Sequence, residues 1–344
     1  MNKCFVPIAD GTICRDRIYF YINETNGLYA INMNTDEMFF LCEVPWGVPG
    51  KIEQYVSITS FLNQIVLIPY NEKNLVFYDV DNKDFRIEPV NYSYADRAGY
   101  MANCVVGDKL YIFETYNPII VCYNYANRSI TKITGFEKDP KYKRLNNDAF
   151  FRQQILVYNK RIYAPFCNAD AILIIDTDTS DWNVVPLGDG ECGYAGITVF
   201  LDRIWLLPRC LYGDIVSVDF EGQNVDRYSL KRKYSGIEGT FIGALGGDVL
   251  RLYSSTDIRE ESVNVIPAKV EGGAYGFVHQ MEHESIVFSR SNNSISVYRN
   301  NEQIYCKEIT LTYEGKNVSG LIKAGILMEG KVANLSDFIR TIAE

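Results

Sequence analysis

The chain carries only two imidazoles, His279 and His283, set four residues apart with Glu282 between them. On a helix that spacing puts both rings on one face; on a strand, alternation puts them on one side with Glu282 opposite. Two histidines without a third ligand fall short of a tetrahedral site, and no Cys/His spacing completes one. No metal is therefore expected, and His279 is left as a candidate acid or base. The nine cysteines form no C-x-x-C pair and sit inside apolar runs such as "NCVVG", "IIVCYN" and "FFLCEV". They read as buried free thiols in a reducing, cytoplasmic setting. Nucleophile-elbow, phosphate-loop and dinucleotide-glycine patterns are all missing, so no cofactor and no reaction class is indicated.

The bulk figures narrow the partners. Of 344 residues, 47% are hydrophobic, enough for a sizeable core, and 25 Tyr with 18 Phe favour strands. A net charge of −9 disfavours a nucleic-acid partner, because phosphate binding needs clustered Lys and Arg. No apolar run approaches the roughly eighteen residues of a membrane helix, and the opening "MNKCFVPIADGTICRDR" lacks the apolar centre of a signal peptide. Many Asn, Lys, Ile and Tyr hint at a bacterial source.

What would position any site is a recurring unit. Seven hairpin cores align: "TICRDRIYFY", "ITSFLNQIVLI", "CVVGDKLYIF", "LVYNKRIYAP", "TVFLDRIWLL", "ALGGDVLRLY" and "HQMEHESIVF". Their first apolar residues after the turn are Ile18, Ile65, Leu110, Ile162, Ile204, Leu250 and Ile286, spaced 36 to 52 apart. A third strand follows in most units ("GLYAIN", "NLVFYD", "IIVCYN", "AILIID"), then a polar turn and a last strand. Four short strands at this period are the pattern of a radial blade. Small residues such as Thr12, Ser57, Thr59, Ala102 and Gly196 recur in the first strand, where bulk would crowd a central axis. Asn32, Asp79, Asn124, Asp176 and Asp219 close the third strands and suit capping of the next turn.

This repeat resembles the kelch and WD40 β-propeller families over roughly residues 3–312. A kelch-like phrase stands in "AILIIDTDTSDWNVVPL", with an acidic turn before Trp182, and one glycine pair at Gly246-Gly247. The resemblance implies an all-β, seven-bladed β-propeller, with six blades plus an extra hairpin as the alternative. The short sixth unit predicts a blade with one strand missing or badly formed. Residues 1–344 read as one propeller domain, with 318–344 as a tail: one strand over 318–328 and a short C-terminal helix from Leu335 to Ile342.

In such a ring the main concave pocket is the channel mouth. Ten residues before each anchor stand Ile8, Tyr55, Tyr100, Arg152, Tyr194, Thr240 and Gly276, with Arg97, Glu191 and Glu238 just upstream of their own units. Tyr55, Arg97, Tyr100, Arg152, Glu191, Tyr194 and Glu238 are thus the candidate ligand residues. Aromatic faces with interspersed Arg and carboxylates suit a polar, carbohydrate-like small molecule or a protein partner. The three tyrosines equally suit closing the gaps between blades. The leading expectation is a non-catalytic binding module. The alternative is a propeller enzyme, a kelch-type sugar isomerase or lyase, with Glu191 or Glu238 as acid/base.

Overall fold

The computed structural model describes residues 8–309 apart from 24, 46, 48–53, 91–98, 153, 231–238, 264–265, 282–283 and 301. Its strands form seven four-stranded sheets in chain order. The blades span 8–43, 55–89, 100–134, 156–186, 194–229, 241–270 and 275–308. The expected seven-bladed β-propeller is therefore what the chain adopts, and the six-bladed alternative is not. The expected C-terminal strand and helix lie outside the described residues.

In the first five blades the second and third strands are largely apolar on both faces because neighbouring blades cover both. In the third blade, Leu110, Tyr111, Ile112 and Phe113 are all fully buried. The buried apolar side chains form one cluster at each blade-to-blade interface. Tyr19 and Tyr21 of the first blade pack with Ile65 and Leu67 of the second; Phe113 of the third packs with Phe151 and Phe166 ahead of and within the fourth. The ring closes where Phe20, Ile22 and Ile31 meet Phe277, Phe288 and Val297. Asp36 secures that closure from outside, accepting from Tyr305 Oη at 2.6 Å and pairing with Lys307 Nζ at 2.8 Å.

Of the two outcomes expected for the sixth blade, a missing or a badly formed strand, the structure shows the second. All four strands are present, but two are three residues long and their order is exchanged. Ala268–Val270 runs parallel to Leu250–Ser254, and Glu261–Val263 takes the outer edge. The loop after Ser254 carries the chain to the rim first, so the next strand returns inward.

The polar residues closing the third strands cap turns, as their type suggested. Asn32, Asp79, Asn124, Asp176 and Asp219 each accept two backbone N–H groups from two to four residues ahead through Oδ1, at 2.7–3.3 Å. For Asp79 and Asp176, the backbone N–H donors hold the carboxyl below its ordinary value of 3.8. A carboxyl lowered by folding contributes stability above its unfolded value and loses that contribution as pH falls through its folded one. Urea midpoints are accordingly expected to fall below about pH 4, and more shallowly in an Asp79→Asn/Asp176→Asn variant, which keeps the acceptors but cannot titrate. An unchanged acid slope in that variant would assign acid sensitivity elsewhere.

Candidate functional site

Six of the seven inner strands begin with an irregularity. The ladder skips one residue after Tyr55, Tyr100, Tyr194, Phe241 and Tyr275, and in the first blade it passes over two, Ala9 and Asp10, between Ile8 and Gly11. Such a one-residue bulge redirects side chains at the rim of a sheet. The residue before the skip packs into the layer between blades, Phe241 also reaching the cavity, and in four blades the skipped residue faces the channel mouth. Met101, Ala195, Ile242 and Gly276, all skipped residues, line one cavity of about 200 Å³ at that mouth. The fourth blade behaves alike without a formal bulge: Phe151 is buried and Arg152 lines the cavity.

This rule decides where the candidate tyrosines go. Tyr55, Tyr100 and Tyr194 are 3%, 0% and 1% exposed, and each belongs to a different interface cluster. Tyr55 meets Tyr21 edge-on at 5.5 Å, and burial pushes its phenol up. The Tyr100 hydroxyl donates to Glu114 Oε1 at 3.2 Å, and burial raises the Glu114 carboxyl. The Tyr194 hydroxyl donates to Asp170. The structure therefore does not bring these rings together around the axis; they fill the gaps between blades. Glu191 is exposed on the approach to the fifth blade, and Arg97 and Glu238 lie outside the described residues. Of the seven candidates, Arg152 lines the cavity.

Two further arginines complete the mouth. In five blades the residue just after the second strand donates its backbone N–H to the residue just before the first. The pairs are Tyr70 to Gln54, Thr115 to Gly99, Arg209 to Gly193, Ser255 to Thr240 and Arg290 to Ala274, all at 2.7–2.9 Å. Of these, Arg209, Ser255 and Arg290 line the cavity with Arg152. Arg209 directly follows the strand Arg203–Pro208, and Arg290 the strand Glu284–Ser289. Counting forward from the anchors as well as backward would have found both arginines.

One carboxylate serves two of the three guanidinium groups. Asp148 Oδ2 accepts from Arg209 Nε at 3.0 Å, and Oδ1 lies 3.5 Å from Arg152 Nη2. Burial pushes the Asp148 carboxyl up, but the Ala149 N–H and both arginines outweigh it and leave it below its ordinary value. The buried Arg152 Nε has no hydrogen-bond partner among the described residues. Arg290 has no carboxylate partner there, and its Nε lies 3.3 Å from where a Cβ on Gly276 would stand. Opposite, the Thr240 and Ser255 hydroxyls sit 3.0 Å apart.

Beneath the mouth, polar side chains tie the inner strands together. Asp10 Oδ2 accepts from Ser57 Oγ at 3.2 Å and from Ile58 N at 3.0 Å, and lies 3.4 Å from His279 Nδ1. Asn103 Nδ2 continues the chain to Ser57 Oγ at 2.8 Å. On the other side, Gln154 donates to Ala244 O and accepts from Ile197 N and Ala244 N, joining three blades. His279 is thus part of an inter-blade seam with Asp10. Among the described residues no group of three His, Cys, Asp or Glu is placed to hold a metal ion.

No family model and no curated protein matches the sequence. Solved structures do match in fold. Streptogramin B lyase aligns over 92% of this chain and 87% of its own, with TM-score 0.55 and 13% identity. BamB from Moraxella catarrhalis aligns over 83% of each chain, with TM-score 0.55 and 12% identity. Kluyveromyces lactis Hsv2 aligns over 88% of this chain and 99% of its own, with TM-score 0.53 and 9% identity. The likeness is one of propeller architecture.

Proposed function

We propose that this propeller is a binding module whose channel mouth takes a small anionic ligand, a carboxylate or phosphate group presented by a polar molecule. The observation that carries this is the convergence of Arg152, Arg209 and Arg290 on one cavity, where Asp148 neutralises only part of their charge. In a chain of net charge −9, such a local excess of guanidinium is a feature of the site and not of the surface at large. Arg presents forked donors that match carboxylate and phosphate geometry. Thr240 and Ser255 add hydroxyls for the rest of the molecule. Among the described residues the cavity lining contains no His, Cys or carboxylate, which favours binding over acid–base turnover. The alternative, an enzyme on an acidic carbohydrate, uses the same arginines and needs Glu191 or Glu238 to supply the proton transfers. A reducing, cytoplasmic location goes with this reading, supported by eight described cysteines that are all unpaired.

Calorimetric titration with inorganic phosphate and with a sugar acid tests the proposal. Arg209→Ala and Arg290→Ala are each expected to weaken binding tenfold or more, since a hydrogen bond to a charged group contributes about 1.5–3 kcal/mol. Asp148→Asn is expected to tighten binding, because it removes the competing charge while keeping an acceptor for Arg209. Unchanged affinity in all three variants would reject the mouth as an anion site.

A further inference from the structure

We infer that the anion taken by the mouth belongs to an acidic peptide, one carboxylate of which sits among the arginines while the residues beside it lie along 141–145. This rests on the anion reading of that cavity. The interval from Leu110 to Ile162 is the longest between anchors, and the extra chain falls between the third and fourth blades. Within it the run "PKYKRLNN" (140–147) holds three cations and no acid, in a chain of net charge −9. Lys141, Lys143 and Arg144 are exposed, and none has a carboxylate partner among the described residues.

The run is fastened in a fixed orientation. Tyr142 turns inward: its hydroxyl donates to Asn168 Oδ1 at 2.9 Å, and its ring meets Phe166 edge-on at 5.0 Å. Its neighbours Lys141 and Lys143 are left outside. Lys141 Nζ donates to Asn183 Oδ1 at 3.0 Å, on the outermost strand of the fourth blade, Trp182–Pro186. Arg144 lies over the Phe150 ring at 5.2 Å, and Leu145 N donates at 2.8 Å to Asn168 O in the loop between the second and third strands. Asp148 then reaches Arg152 and Arg209 in the mouth. The cations thus mark a path from the outer edge of the blade to the cavity. Three inter-strand steps of about 4.8 Å make about 14 Å, the reach of about five extended residues.

A phosphate polymer would satisfy the cations alone; the apolar groups on this face select a peptide. Leu145, 42% exposed, stands at the inner end of the path. Tyr116 and Tyr212 are exposed on loops that follow second strands, at the same end of their blades as the mouth. The cavity itself is lined by Met101, Ala195 and Ile242 as well as by arginines. Tyr and Arg are enriched where protein surfaces meet, and apolar side chains set between acids cover such groups. Charge complementarity steers the acidic segment to this face, because the rest of the chain is acidic and repels it.

The full chain is titrated with a fluorescein-labelled peptide in which Glu alternates with Leu or Ala, read by anisotropy, and in parallel with inorganic phosphate by calorimetry. Lys141→Glu/Lys143→Glu is expected to weaken the peptide about tenfold and to leave phosphate affinity unchanged, since exposed charge pairs contribute a few-fold each. Arg209→Ala is expected to weaken both ligands. Leu145→Ser is expected to weaken the peptide about threefold and to leave tripolyphosphate, an anion of similar charge, unaffected. No saturable peptide binding, no response to the double substitution or to Leu145→Ser, or tighter binding of tripolyphosphate than of the peptide would overturn the inference. Phosphate binding that persists in those cases leaves the anion site in the mouth standing, whereas loss of phosphate and peptide together removes both.

Discussion

Phe151→Ala is expected to lower the unfolding free energy by about 3–5 kcal/mol, the range for truncating a fully buried aromatic ring. Phe151 is completely buried and packs among the rings of Phe113 at 5.2 Å, Phe136 at 5.8 Å and Phe166 at 5.2 Å. These neighbours come from different segments, so no single one can move to fill the void. The loss is expected as a lower urea midpoint at an unchanged slope, which marks a change in stability and not in cooperativity. The control is Leu201→Asn. Leu201 is 64% exposed in a tight hairpin turn with φ 48°, followed by Asp202 at φ 54°. Asn tolerates that left-handed conformation better than Leu, so this substitution is expected to be neutral or stabilising. A Phe151→Ala loss no larger than 1 kcal/mol would mean that the interface between the third and fourth blades is not packed as described.

Asp170→Ala is expected to be comparably destructive for a different reason. Asp170 is nearly inaccessible, yet it accepts from Gly190 N at 2.5 Å and from the Tyr194 hydroxyl, and pairs with Arg227. Removing it strands a half-buried guanidinium and a buried phenol, a defect that costs about 3–5 kcal/mol. Asp170→Asn retains the acceptor for Tyr194 and Gly190 and is expected to fall between wild type and Ala. Combining Asp170→Ala with Arg227→Met is expected to cost less than the sum of the singles, since the stranded charge is gone. Strict additivity would show that the two side chains do not depend on each other. Arg227 also lies 3.6 Å from Asp214 and donates to Leu187 O at 3.0 Å. The carboxylate therefore joins the loop 187–190 to the outer strand of the fifth blade.

The blades were legible because their signal is repeated. The anchors Ile18, Ile65, Leu110, Ile162, Ile204, Leu250 and Ile286 are all fully or almost fully buried, and a stretch such as "AILIID" is a strand from Ala171 to Asp176. The face carrying the mouth was legible too, since Arg152, Thr240 and Gly276 line the cavity. The direction of individual side chains was not. A single skipped residue inverts which neighbour faces the channel, so Tyr194 is hidden and Ala195 is presented. Counting back ten residues also misses the equivalent positions in the last two blades, Phe241 and Tyr275, because the sixth hairpin loop is longer and the anchor Ile286 pairs seven residues back with His279, where Ile204 pairs five back with Val199. The exchanged strand order of the sixth blade escaped for another reason. Three-residue strands carry too little periodicity to reveal their neighbours.

The interface between the sixth and seventh blades is the thinnest among the described residues, with four buried apolar side chains: Leu245, Tyr253, Val278 and Val287. The joint between the last and first blades, which no covalent link spans, is far better filled. A circular object fails first at its leanest wall, wherever its covalent ends happen to be. Strained or warmed, this molecule would gape between neighbours that the polypeptide itself joins, swinging the final blade out like a door still latched to the opening one. The hinge of that door would be residues 271–274, on the same side as Arg290.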